Sequence, residues 1–276
     1  MTDLECVAGV VSSAEYLLRG PENKYGRTDG GRYYDRALEL ATREVNAAVD
    51  GLLEGGATEI LVCDGHGHGG LNASLIHTEA RILTGKPLSS DHGLDDSFDA
   101  AIMIGQHAMA NTDGAHLAHS GSFGRDAWIL NDVVMGEIAL FMIRAGYYGV
   151  PLVMLSGDVA ACEEARQLVP SIETVAVIEG VKRGSTEGMT TDQALDFNVP
   201  AIHLSPEKSR RLIREGARRC LSKVESMERF WVDPPYEMVR VGRPDDQGRV
   251  IRAVNRSDDY IDLYRQKTEY EVVEEA

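Results

Sequence analysis

Two acidic side chains, Asp3 and Glu5, stand near the beginning of the sequence. In an extended chain, residues two apart point to the same side, so both carboxylates can approach one target. A metal ion is one such target, although a D-x-E pair near a terminus is by itself typical of a solvated surface. The pair gains meaning only from other residues that the fold brings beside it.

A segment rich in glycine and histidine, Asp64 to Gly70 (DGHGHGG), directly follows the strand-like run Glu59 to Cys63. Glycines allow a tight turn, and His66 offers an imidazole nitrogen, the commonest protein ligand for zinc-like metals. A phosphate-binding loop is the alternative. The glycine and lysine order of a Walker loop is absent, however, and no helix pattern starts at once. The segment therefore favours a metal ligand.

Three further polar residues are candidates for the same site. His107 comes shortly after the strand-like run Ala100 to Ile104, and Glu137 opens an apolar helix. Glu137 either complements the helix dipole or points inward to the end of the sheet. His119 lies with His116 in a glycine-flanked loop without a ligand spacing of its own, so it has either a supporting or proton-transfer role or none.

Together these side chains form a mixed oxygen and nitrogen set that suits zinc or a similar divalent ion. Five ligands exceed the three or four that one zinc ion normally takes from protein. Two ions about 3.5–4 Å apart, bridged by Asp3, would account for the surplus. The predicted metal ligands are Asp3, Glu5, His66, His107 and Glu137.

The elements that must position these residues alternate between strand and helix patterns, which is the mark of an α/β fold. Buried-strand patterns occur at Glu59 to Cys63, Ala100 to Ile104, Leu152 to Leu155 and Thr174 to Ile178. Helix patterns occur at Asp35 to Leu53, Glu137 to Ala145 and Val159 to Leu168. Continuous apolar strands indicate a parallel sheet covered on both faces, and ligands collect at the carboxyl ends of such strands. We predict a three-layer α/β/α core.

The pattern changes after about residue 190. A helix capped by Ser205 is predicted to run to about Met227, followed by strands at Tyr236 to Val241 and Arg249 to Val254 and a helix from about Asp258. We therefore predict a metal-binding core over residues 1–190 and a smaller α+β region over residues 191–276. Five arginines between Arg210 and Arg219 could indicate a phosphate site, but a solvated or interface helix face is the favoured interpretation.

The composition excludes several classes of partner. The 276 residues carry 28 basic and 44 acidic side chains, a net charge of −16, which opposes binding to nucleic acid or anionic lipid. No apolar run approaches a membrane span or the pattern of a signal peptide. Four widely spaced cysteines indicate reduced thiols, and we expect a cytoplasmic protein.

At this point the sequence resembles a known family, the zinc-dependent D-aminopeptidases (peptidase family M55), which are also called dipeptide-transport-protein-A-like peptidases. The resemblance rests on six blocks in order, among them MTDLE-x-VAGV from Met1, GATEILVCDGHG from Gly56 and GLDDSFDAAIMIGQHA from Gly93. The other blocks are TREVNAAVDG from Thr42, HLAHS from His116, and NDVVMGEIAL with AGYYGVPLVMLSGD from Asn131 onward. The last third of the chain resembles the family only loosely.

The resemblance implies the same five metal ligands and identifies His119 as the catalytic histidine. It also implies zinc as the cofactor, short peptides or amino-acid amides as substrates, and a ring-shaped homo-oligomer, such as a decamer. Three features depart from the family pattern. Only two residues precede Asp3, Cys6 stands where glycine is usual, and the segment Ser12 to Gly31 aligns poorly and could reshape the pocket.

The predicted function is therefore metal-dependent hydrolysis that releases N-terminal D-amino acids from short peptides or amides. One alternative is a metallohydrolase that uses the same site on another small amide or an ester. The other is a metal-stabilised oligomeric protein that binds peptides without catalysis.

Overall fold

The strands and helices are taken from a computed structural model, which describes residues 1–17 and 32–273. The strands β1 to β11 are Ile60–Cys63, Ala80–Leu83, Ala101–Gln106, Arg125–Leu130, Val133–Val134, Leu152–Asp158, Glu173–Gly180, Ala201–His203, Tyr236–Gly242, Val250–Ser257 and Glu271–Val273. The α-helices α1 to α6 are Tyr34–Glu54, Glu137–Tyr147, Val159–Leu168, Thr191–Phe197, Pro206–Cys220 and Tyr260–Arg265. A π-helical turn covers Ser13–Leu17, and 3₁₀ turns cover Ala73–Leu75 and Leu221–Ser226.

The central sheet has the order β3-β6-β7-β8, with parallel pairing from β3 to β7 and an antiparallel edge strand β8. A separate parallel pair, β1 and β2, lies beside it. Thr2 forms one parallel bridge to Asp64, just after β1, and another to Ile104 in β3. The first residues of the chain are therefore held between β1 and β3, at the ends of both strands.

The sheet is covered by helices, as the predicted three-layer α/β/α core requires. Helices α1 and α5 pack together over one face, and α2 and α3 pack together over the other. Gly51 allows the close crossing of α1 and α5, because a Cβ atom there would lie 2.2 Å from the carbonyl oxygen of Arg214. The mostly parallel α/β fold is confirmed. The helix that was predicted to run from Ser205 to about Met227 is shorter in the structure. Helix α5 ends at Cys220, and a 3₁₀ turn follows it.

A second sheet, antiparallel throughout, has the order β11-β10-β9-β4-β5. It packs on one side of α2 through a separate apolar cluster that includes Leu140, Tyr236 and Tyr260. Strands β4 and β5 precede residue 190 and pair in this sheet, whereas β8 and α5 follow residue 190 and belong to the core. The division of the chain at residue 190 stays a prediction, and contacts cross it in both directions.

Glu44 is a buried carboxyl group that joins three segments of the core. It lies on α1, and its Oε1 accepts hydrogen bonds from the backbone N–H of Ala8 (3.1 Å) and from Ser209 Oγ of α5 (2.6 Å). In the part of the chain that the structure describes, its Oε2 has no hydrogen-bond partner. Burial raises the pKa of Glu44 to about 7, although Ser209, Ala8 and the charge of Arg210 oppose the shift. The fold therefore favours the protonated acid.

This pKa predicts a pH-dependent stability. Because the folded-state pKa is above the unfolded value, stabilisation by Glu44 is complete below the unfolded pKa and is lost as the pH rises through about 7. Between pH 5.5 and 8, we expect wild type to lose about 2 kcal/mol of unfolding free energy relative to Glu44→Gln. Chemical denaturation at several pH values measures this difference.

The control is Glu39→Gln on the exposed side of the same helix. Hydrogen bonds from Arg43 and Arg36 lower the pKa of Glu39, so its titration lies below the tested range. Its stability difference from wild type should stay nearly constant between pH 5.5 and 8. A flat difference for Glu44→Gln as well would show that Glu44 is ionised in the folded protein throughout this range.

Candidate metal centre

Asp3 and Glu5 are both buried and converge on one point, as their spacing predicts. The reason differs from the expected one, because the chain leaves the extended conformation after Asp3 and turns. The backbone N–H of Leu4 donates to Asp3 Oδ1 (3.0 Å) and to Glu5 Oε2 (3.2 Å), which draws the two carboxylates together. The N–H of Asp3 donates to the carbonyl oxygen of Ile104 (2.8 Å), so the pair is anchored to β3.

Cys6, which stands where the resemblance expects glycine, does not crowd this turn. Its side chain is buried, and its Sγ donates to the carbonyl oxygen of His116 (3.5 Å). Its backbone N–H donates to Gly105 O (3.0 Å). The thiol therefore points into the core, away from the two carboxylates. Of the segment Ser12 to Gly31, residues 18–31 lie outside the described part of the chain.

The glycine-rich loop after β1 brings His66 to the same carboxylates. His66 Nδ1 lies 3.1 Å from Asp3 Oδ1 and 3.3 Å from Glu5 Oε2, whereas the neighbouring His68 is exposed. Asp64 fixes the loop by accepting a hydrogen bond from Gly70 N (2.7 Å). Gly65 permits the close approach of this loop to the N-terminal residues, because a Cβ atom there would lie 2.4 Å from Thr2 O.

His107, just after β3, occupies the centre of the group. Its Nε2 lies 3.4 Å from Asp3 Oδ2 and 3.4 Å from Glu137 Oε1. Its Nδ1 donates to the carbonyl oxygen of Ala108 (2.8 Å), which assigns the proton of the neutral ring to Nδ1. The lone pair of Nε2 is then directed at two carboxylates.

Glu137 is the first residue of α2 and points inward, as one of the two interpretations of its position predicts. Its Oε1 accepts a hydrogen bond from the backbone N–H of Gly121 (2.7 Å). The side chain retains 26% exposure, so this edge of the group is accessible from solvent.

His119 lies against His107 and is buried. The two rings stack with centroids 3.8 Å apart, and the ring of Phe123 stacks on the other face of His119 at 4.1 Å. His119 Nδ1 donates to Leu117 O (3.0 Å), and Nε2 lies 3.9 Å from Glu137 Oε1. His116 is buried elsewhere, with Nε2 donating to Val10 O (3.3 Å), so it takes no part in the group.

The electrostatics of the group follow from three carboxylates packed against imidazoles. Burial by itself opposes ionisation of Asp3, but the adjoining His107 and His66 hold its pKa well below the usual range. Burial likewise disfavours charged imidazoles, yet Glu5 and Asp3 raise the pKa of His66, and Glu137 and Asp3 raise that of His107. Burial and the neighbouring His107 lower the pKa of His119. A cation is strongly favoured among these carboxylates.

The residues present fit a divalent metal ion. Two sets, Asp3 with Glu5 and His107, and His107 with His119 and Glu137, each place their ligand atoms within 4.8 Å of one another. His107 Nε2 is buried and has no hydrogen-bond partner among the described residues, a state that a metal ion would relieve. Imidazole nitrogen and carboxylate oxygen are the ligands that zinc takes in open, catalytic sites.

Two contacts at the centre were not predicted from the sequence, the ring of Phe123 and the N–H of Gly121. Both lie within five residues of His119, and this closeness along the chain is the one sequence signal that points to them. A large cavity of about 560 Å³ lies elsewhere, between β1 and β3 and α1, and its lining includes none of the six predicted site residues.

The chain is similar to proteins of known family and fold. A family model described as D-aminopeptidase (peptidase M55) matches residues 1–272. A D-aminopeptidase of Bacillus subtilis (strain 168) is 36% identical over 202 residues, which cover 72% of this chain and 68% of the relative. A solved structure, described as the Zn-dependent D-aminopeptidase DppA from Bacillus subtilis, a self-compartmentalizing protease, superposes with a TM-score of 0.75. It is 24% identical and covers 96% of this chain and 92% of its own, which shows a shared fold.

Proposed function

The chain belongs to the D-aminopeptidase family, and from this premise we propose that it uses two zinc ions to release N-terminal D-amino acids from short peptides or amino-acid amides. The observation that carries the proposal is the convergence of buried carboxylates and imidazoles on the unpartnered Nε2 of His107. The Zn-dependent relative with the same fold supports the choice of metal.

Asp3 divides the proposed ligands into two sets. Its Oδ1 faces His66, beside Glu5, and its Oδ2 faces His107, beside Glu137. Asp3, Glu5 and His66 would hold one ion, and Asp3, His107 and Glu137 the other. When bound, such ions polarise a carbonyl group and make water nucleophilic near neutral pH.

His119 is the proposed proton carrier. Because its Nδ1–H is donated to Leu117 O, the neutral ring keeps its lone pair on Nε2, which is the nitrogen on the Glu137 side. Burial and His107 lower the pKa of His119, so the ring stays neutral and able to accept a proton. Nε2 would take a proton from the attacking water and return it to the leaving amine. The ring of Phe123 shields the outer face of His119 from water.

We further propose a ring-shaped homo-oligomer, such as a decamer, in the cytoplasm, with residues 1–190 as the catalytic core and residues 191–276 as a smaller α+β region. The self-compartmentalizing character given for DppA supports the oligomer. Within residues 1–17 and 32–273, no helix is both long enough and apolar enough to cross a membrane.

The test of the function is alanine release from D-Ala-D-Ala and D-alanine amide, with the L-enantiomers as matched substrates. We expect release of alanine from the D-compounds, loss of activity on chelation and recovery on adding zinc. The reason is that the proposed reaction depends on a water molecule activated by zinc. Zinc should bind at about two ions per chain.

The other outcomes separate the alternatives. Hydrolysis confined to other amides or esters would keep the metal site and change the substrate. Tight binding of peptides without any product, in the zinc-loaded protein, would favour a non-catalytic peptide-binding protein. Absence of bound zinc would contradict the proposal altogether.

A further inference from the structure

Arg243 is a buried cation that directly follows β9. In the sequence it lies far from all the proposed site residues. Its side chain is 1% exposed, and within residues 1–17 and 32–273 its one acidic contact is Asp126 Oδ1, at 3.1 Å from Nη1. Nη1 also donates to Thr186 O (2.6 Å), and Nη2 donates to Thr186 Oγ1 (3.1 Å) and Asn111 Oδ1 (3.4 Å). Nε donates to the carbonyl oxygen of Phe123 (3.0 Å). All five N–H donors of the guanidinium group are thereby used.

One of these contacts, from Nε to Phe123 O, falls in the short segment 121–124, which connects His119 to β4. The contact with Asp126 lies just beyond this segment, in β4. Arg243 holds the segment twice, because its backbone N–H also donates to Gly124 O (3.0 Å). The segment is otherwise rich in small residues, Gly121, Ser122 and Gly124, which do little to restrict the backbone. The turn hydrogen bond from Arg125 N to Ser122 O also restrains the segment, and the guanidinium group adds a side-chain hydrogen bond at Phe123.

The same segment contacts the metal centre at both of its ends. The N–H of Gly121 donates to Glu137 Oε1, and the ring of Phe123 stacks on His119 with the ring planes inclined by 26°. His119 in turn stacks on His107. Any shift of segment 121–124 would thus reach a proposed metal ligand and the proposed proton carrier together.

We propose that Arg243 is a positioning residue for catalysis, which acts through Phe123 to hold the ring of His119 in its reactive orientation. This inference rests on the proposed function. Lysine cannot replace arginine here, because it has three donors on one atom and cannot reach Asp126, Thr186 and Phe123 O at once. The charge would remain, and the geometry would be lost.

The first test compares Arg243→Lys, Phe123→Ala and the double variant, all loaded with zinc. We expect each single variant to lower kcat about 10-fold with KM little changed, because small misplacements of a catalytic group reduce turnover steeply. If Arg243 acts through Phe123, the double variant should lose about 10-fold as well, and not about 100-fold. Additive losses, or a normal kcat for Arg243→Lys, would overturn the proposal.

The matched control is Arg240→Lys. Arg240 is a buried arginine on β9, three residues before Arg243, but it donates to Asn255 Oδ1 of β10 (2.6 Å) and not to segment 121–124. Its replacement should keep kcat per bound zinc unchanged, even if stability falls. A loss of kcat equal to that of Arg243→Lys would indicate a general effect of weakening the C-terminal sheet.

A second measurement does not need activity. Amide hydrogen exchange of peptides covering residues 119–126 should be faster in Arg243→Lys than in wild type, and unchanged in Arg240→Lys. If wild type releases no amino acid from any substrate, the proposed function fails, while this comparison still decides whether Arg243 orders the segment. Unchanged exchange in Arg243→Lys would overturn the positioning role even in an active enzyme.

Discussion

Asp3→Asn is expected to lose both proposed zinc ions and essentially all aminopeptidase activity while keeping the fold. Asp3 is the residue whose two oxygens face different imidazoles, His66 at 3.1 Å and His107 at 3.4 Å. An amide has the same shape but offers only one weak oxygen ligand and no charge. Groups that merely support a metal ligand change metal affinity about 10- to 100-fold when lost, so loss of a shared ligand should exceed about 100-fold.

Two measurements check this expectation: the zinc content after dialysis, determined by elemental analysis, and the rate of D-alanine release. Circular dichroism and thermal unfolding of the metal-free proteins show whether the fold is kept. Asp95→Asn serves as the control, because Asp95 lies in an exposed loop and its side chain accepts hydrogen bonds from the nearby Ser97. Normal zinc content and activity in Asp3→Asn would show that Asp3 is not a metal ligand. The proposal that Asp3 is shared by two zinc ions would then be wrong.

His119→Ala is expected to lower kcat by about 10²- to 10⁴-fold and to leave zinc content intact, the range for loss of a general acid–base group. The physical basis is the free Nε2 of a ring whose Nδ1 is committed to Leu117 O. Zinc content and kcat are measured on the same preparation. His77→Ala is the matched control, because His77 pairs with Asp50 of α1 and lies outside the candidate metal centre.

Added imidazole offers a sharper version of the same experiment. His119 is held between the rings of His107 and Phe123, so its removal leaves a flat gap that imidazole can enter. Partial recovery of turnover with imidazole would support proton transfer. Loss of zinc in His119→Ala would instead make His119 a metal ligand, an outcome that its 3.9 Å approach to Glu137 Oε1 makes worth testing.

Much of the fold could be predicted because its signals are local. The apolar runs that became β1, β3, β6 and β7 and the helical spacing of α1 are patterns within a few residues, and burial on both faces follows from them. The polar residues after these strands were placed together by the same logic, since parallel strands end at one edge. His66 and His107 do meet at Asp3.

What could not be predicted depends on distant partners. Strand β4 has no pattern that marks it, because its pairing partner β9 lies about 110 residues later in the chain. The edge strand β2 and the short β5 were also missed. Their partners β1 and β4 lie nearer along the chain, but each of the two strands depends on pairing for its conformation. The contacts of Arg243 and Phe123 likewise join segments that no local pattern connects.

The pairing of β4 with β9 and the ion pair between Arg243 and Asp126 each join an early segment of the chain to one that is synthesised much later. All six proposed site residues have been synthesised by Glu137, whereas Arg243 follows Glu137 by 106 residues. At the usual speed of translation this interval lasts roughly 5 to 21 s. For that time a nascent chain carries every proposed ligand without the contact that orders the segment after His119. A chain that terminated before residue 243 would stay in this state, so a gene fragment that contains all six residues is not sufficient evidence for a working enzyme.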